Sequence, residues 1–139
     1  MLTRRLALLS MTAFVFAAPA MAQTPSPEGA KLYFIAPQDG AEVSNPVTVK
    51  FGLSGMGVAP AGVDKPKTGH HHLLIDVDEI DLNNPLPADD NHKHFGGGQT
   101  ETTVTLKPGK HTLQLVLGDL NHVPHKPPVM SEKITINVK

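Results

Sequence analysis

The chain has 139 residues, with 12 basic and 13 acidic side chains, eight histidines and no cysteine. That length fits one domain, 40% apolar residues can supply its core, and a formal charge of -1 speaks against a nucleic-acid binder. Without cysteine there is no disulfide, zinc ribbon, thiol catalysis, blue-copper thiolate or lipoprotein anchor.

Residues 1–22 read as a secretory signal. Arg4 and Arg5 form the charged start, residues 6–18 are a short apolar run, and Ala20-Met21-Ala22 is a small-residue cleavage signal. The run is shorter than the roughly 20 apolar residues a membrane-spanning helix needs. The expectation is an exported protein, periplasmic or secreted, with no membrane span after processing. No arginine follows Arg5, which argues against bidentate recognition of phosphate or carboxylate.

Residues 23–30 are a polar leader rich in Pro, Ser and Gly, expected to be loose. Residues 31–139 read as a single β domain. Leu32 to Ile35 form a short apolar run that ends before Pro37, and Gln38-Asp39-Gly40 marks a turn. Val47, Val49, Phe51 and Leu53 alternate with polar or small residues, the period of a half-buried strand. Residues 55–69 read as a long loop and residues 70–77 as the next strand. Residues 78–84 and 89–94 have room for a helical turn each. Thr102, Val104 and Leu106 alternate again. Lys107-Pro108-Gly109-Lys110 is a tight-turn signal expected to send the chain back through His111, Leu113, Leu115 and Leu117 as a hairpin. Ile134, Ile136 and Val138 close the domain. Short strands punctuated by Pro and Gly, with no sustained helical period, predict an all-β fold. A small immunoglobulin-like antiparallel β-sandwich is favoured over a Greek-key barrel.

Seven of the eight histidines fall in three clusters: His70-His71-His72, then His92 with His94, then His122 with His125. In a sandwich whose strands alternate in direction, all three clusters belong to one end and the lone His111 to the other. On a strand, His70 and His72 share a face, while His71 points the opposite way, toward the core with Leu73 and Ile75. Imidazole is a good ligand for zinc, copper and nickel. The expected ligands are therefore His70, His72, His92, His94, His122 and His125, three or four of them on one ion. Asp76, Glu101 and Asp119 are candidates for extra ligands or for groups that orient the rings, and Met130 for softening the site toward reduced copper. His71 and His111 are expected to be structural, held by hydrogen bonds to loop backbone. The Gly96-Gly97-Gly98 run precedes a strand and lacks a P-loop lysine. It reads as a turn, or as close backbone approach beneath the histidines.

The strings GHHHLLID (69–76), HFGGGQTE (94–101) and LGDLNHVPHKPPVMSEKITI (117–136) resemble the domain-of-unknown-function 4399 family of small exported bacterial proteins. The resemblance implies one compact exported β domain and no particular activity. A looser likeness links the stretch from Pro37 to Leu53 and that from Pro108 to Leu117 to periplasmic immunoglobulin-like domains that include copper carriers. The methionine-rich motif of those carriers is incomplete here.

Three readings follow. The first is an exported, non-catalytic module that binds copper or zinc through the clustered histidines. The second is a module whose histidine-bearing end docks an envelope protein or a glycan, the histidines being structural. The third, an enzyme, has the least support: no nucleophile motif and no clear acid/base pair stand out, so no catalytic residue is assigned. No organic cofactor is expected.

Overall fold

The structure, a computed structural model, describes residues 22–139. The segment read as a secretory signal lies, apart from Ala22, outside the described residues. Nine strands follow one another among the described residues: β1 (Lys31–Ala36), β2 (Glu42–Val43), β3 (Val47–Ser54), β4 (Gly57–Val58), β5 (Thr68–Ile75), β6 (His92–His94), β7 (Glu101–Val104), β8 (Gly109–Gly118) and β9 (Ile134–Val138). They form a three-stranded sheet, β1-β3-β7, and a six-stranded sheet, β2-β9-β8-β5-β4, with β6 also paired to β5. The two sheets do not join into a barrel, so the fold is a β-sandwich. The pairings are antiparallel except for two short parallel contacts, β2 with β9 and β4 with β5. No helix among the described residues is long and apolar enough to cross a membrane.

The alternating strands build the core. Val47, Val49 and Phe51 of β3 and Leu32 of β1 meet Leu73 and Ile75 of β5, Leu113, Leu115 and Leu117 of β8, and Ile134, Ile136 and Val138 of β9. Each strand turns every second side chain to this layer and the others away from it. On β5, however, every residue from Gly69 to Ile75 is buried. The outer face of β5 is covered as well: Leu74 packs with Val116 and with Leu86 of the β5–β6 connection, joined by Val77, Ile80 and Met130. His70 and His72 share that outer face with Leu74.

Three local expectations give way. Residues 78–84 and 89–94 form no helical turn, and 92–94 pair with β5 as β6. The turn at 107–110 does not close a hairpin. β7 pairs with β3 in the small sheet and β8 with β5 and β9 in the large one, so the turn carries the chain between sheets. Residues 23–26 are tied along residues 124–127: Lys126 N donates to Thr24 O at 3.0 Å, Ser26 N to Lys126 O at 3.3 Å, and Ser26 Oγ to Pro127 O at 2.7 Å.

A four-histidine cluster at one end of the sandwich

Register brings the histidines together. β5 and β8 run antiparallel with His70 opposite Gly118 and His72 opposite Val116. On the other edge of β5, His94 of β6 lies opposite His72. β8 leaves the sheet at Gly118, and the turn that follows returns His122 over the same face. One ligand-capable nitrogen from each of His70, His72, His94 and His122 lies within 4.8 Å of the other three. His70 Nε2 is 3.0 Å from His72 Nε2 and 3.1 Å from His122 Nδ1. His70 and His72 are buried, His122 is half-buried and His94 is exposed. Each of the three sequence clusters therefore contributes to one group of rings.

Absent side chains make room for these rings. A Cβ on Gly118 would lie 2.7 Å from His72 Nε2, and one on Gly96 would lie 2.4 Å from His94 Cε1. Both are closer than real Cβ contacts allow, so the backbone at both points must be bare for the rings to lie where they do. His122 adopts a left-handed conformation, φ 67°. Its turn is closed by its own N–H donating to Asp119 O and by the Asp119 N–H donating to Val123 O, both at 2.9 Å.

Burial and neighbouring imidazoles disfavour protonation of His70, His72 and His94. Burial lowers the pKa of His70 to about 4, helped by repulsion from His94 and His122. Burial, then repulsion from His70, His94 and His122, lowers that of His72 to about 3. His94 is lowered in the same sense, by its partial burial and by His122. Imidazoles this close cannot all take protons, because like charges in a desolvated site repel. At neutral pH His70, His72 and His94 offer unprotonated nitrogen lone pairs, the form a metal requires. His70 Nδ1 and His72 Nδ1, by contrast, are buried without a hydrogen-bond partner among the described residues. On a tetrahedral ion with bonds of about 2.0–2.1 Å, neighbouring nitrogens sit about 3.3 Å apart, close to the separations around His70 Nε2. The cluster could hold a metal ion.

Other predicted residues lie elsewhere. His92 is on the same short strand as His94, but its Nδ1 is paired with Asp89 Oδ1 at 2.8 Å. His125 is buried, its ring nitrogens facing Leu117 O at 3.4 Å and Thr68 O at 3.2 Å. Neither belongs to the four-histidine group. His71 points to the core, as its alternation requires, and packs at a tilt against Phe51 with ring centroids 5.0 Å apart. Contrary to expectation, neither of its ring nitrogens has a hydrogen-bond partner among the described residues. Asp76 pairs with His111 at the far end of β5. Glu101 is exposed on the small sheet. Asp119 lies beside the cluster, but its carboxylate is engaged by Thr24 Oγ1 and by the amides of Asn121 and Val123.

The model of the family described as "Domain of unknown function (DUF4399)" matches residues 49–139, a span that holds all four clustered histidines. No curated protein and no solved structure matches the chain.

Proposed function

The chain belongs to the DUF4399 family, and we propose that it is an exported, non-catalytic module that binds one transition-metal ion, copper or zinc, through His70, His72, His94 and His122. One observation carries this reading. Four imidazoles from three separate segments converge to within 4.8 Å, two of them buried where a lone polar ring is costly. His125, a buried histidine outside the group, has two backbone carbonyl oxygens facing its ring. These rings have mainly one another. An all-nitrogen donor set suits zinc or oxidised copper and discriminates against calcium and magnesium, which take oxygen ligands. The periplasmic or extracellular location rests on the charged, apolar and small-residue pattern of residues 1–22.

The test is metal analysis of protein purified without a histidine tag, followed by zinc and copper titrations. One equivalent is expected to bind at neutral pH, and single alanine variants at 70, 72, 94 or 122 are expected to lose it. A melting midpoint that stays unchanged under saturating metal at neutral pH would sink this reading and leave the docking module ahead.

A further inference from the structure

Of the four rings, three are held by strands. His122 alone depends on a loop, and that loop is held by a distant part of the chain. Asp119 Oδ1 accepts the N–H groups of Asn121 at 2.8 Å and Val123 at 3.0 Å, which fixes the turn on both sides of His122. Asp119 Oδ2 accepts the hydroxyl of Thr24 at 2.7 Å. Around this bond the segment 23–26 lies along the loop. Gln23 Nε2 donates to Pro124 O at 3.1 Å and to Leu82 O at 2.5 Å, and Lys126 N donates to Thr24 O at 3.0 Å. Gln23 thus spans both connections that cover the outer face of β5. The second of these also reaches His122 itself, where Leu86 N donates to His122 O at 2.9 Å.

We infer that residues 23–26 are a strap that sets the position of His122, with Thr24 and Asp119 as positioning residues for metal binding. The inference rests on the metal reading above for its function, and on the hydrogen bonds alone for its structure. Without the strap, the carboxylate of Asp119 loses the hydroxyl of Thr24 and the turn is held less firmly, while β5, β6 and β8 keep their ladder bonds. His70, His72 and His94 would stay in place, and His122 would have to be ordered when the metal binds. The strap acts on affinity by pre-organisation: a ring already in place is not ordered at the moment of binding.

The test compares the full chain with its Thr24→Val and Thr24→Ser variants. Zinc affinity is read by competition with a chromophoric chelator, and amide hydrogen exchange is read on metal-free protein. Thr24→Val removes the hydroxyl at nearly constant shape and should weaken zinc binding about tenfold, the effect of losing one hydrogen bond to a charged group. It should also raise exchange across 119–123 while leaving β5 and β8 unchanged. Thr24→Ser restores the hydroxyl and should restore both readouts. Wild-type affinity together with wild-type protection in Thr24→Val would overturn the strap. So would exchange that rises equally over the whole domain, which marks general destabilisation. If the wild-type chain itself takes no zinc or copper, the metal reading fails, and the exchange data alone decide whether the strap orders the turn.

Discussion

The two ends of β5 carry histidines that respond to protons in opposite ways. At the His70 end, rings are crowded, desolvated and mutually repulsive, so burial and neighbouring imidazoles drive their pKa values down. At the far end, His111 Nδ1 meets Asp76 Oδ2 at 2.6 Å and His111 Nε2 meets Lys107 O at 2.7 Å. Both ring nitrogens there face acceptors, which suits the doubly protonated ring. The hydrogen bond to Asp76 raises its pKa, with a further contribution from Lys107. One sheet thus holds a neutral cluster built to accept a cation and a single ring built to be one. The same residue type serves both because its ordinary pKa, about 6.5, lies between the two demands.

The largest expected effect separates clustered from neighbouring histidines. His72→Ala should lower zinc affinity by about a hundredfold or more, since even the outer partners of a metal ligand are worth about 10–100-fold. His92→Ala should leave affinity within about twofold of wild type, as small as the effect of an ordinary surface change. Isothermal titration of both variants checks this, and equal losses would erase the distinction between the rings of β6.

The next effect is on metal-free stability. A histidine whose folded pKa lies below its unfolded value contributes stability that is complete above about 6.5 and is lost as pH falls toward the folded value. With His70 and His71 at about 4 and His72 at about 3, the melting midpoint should drop by about 10 °C or more between neutral pH and pH 4.5. Added zinc should raise the midpoint at neutral pH and do little at pH 4.5, because protons compete for the same nitrogens. A pH-independent midpoint would refute the low pKa values.

A smaller effect isolates His71. Its two nitrogens are buried without partners, so His71→Leu should stabilise the domain by about 1 kcal/mol, relieving part of the cost of an unsatisfied polar group. Zinc affinity should not change, because the ring is on the core face. Chemical denaturation with parallel titration reads both.

The smallest effect is at the far end. Asp76→Asn should cost about 0.5–1 kcal/mol near pH 6, as for other partly exposed ion pairs. The sign is opposite to that of the cluster: His111 contributes stability fully below about 6.5 and loses it as pH rises through its raised value. The cost should therefore shrink in alkaline buffer. A larger cost at high pH would contradict the assignment.

Much of this was legible in the residues. Val47 to Leu53, residues 70–75, Leu113 to Leu117 and Ile134 to Val138 announce their strands because period-two alternation is local information. Sheet membership is not local: nothing in Lys107-Pro108-Gly109-Lys110 distinguishes a hairpin from a crossing between sheets. β6 has three residues, too few to show a period. Within the site, His70 and His72 follow from i, i+2 spacing. The choice of His94 over His92 does not, since both share a face of β6. It is made by register opposite His72 and by Asp89, which engages His92. The choice of His122 over His125 is likewise made by the fold, through a left-handed turn on one side and carbonyl oxygens on the other.

The convergence of His70 and His72 with His94 and His122 has a consequence for chain entropy. An ion gripping these two rings together with His94 and His122 would join segments that are far apart in the sequence, closing two long loops at one point. A covalent link closing a loop of such length is worth about 3–4 kcal/mol, chiefly by restricting the unfolded chain. This domain has no cysteine with which to make one. Coordination would supply the missing crosslink in a form that can be undone without an electron donor, and a chelator would act on this fold as a reductant acts on a disulfide-bonded one.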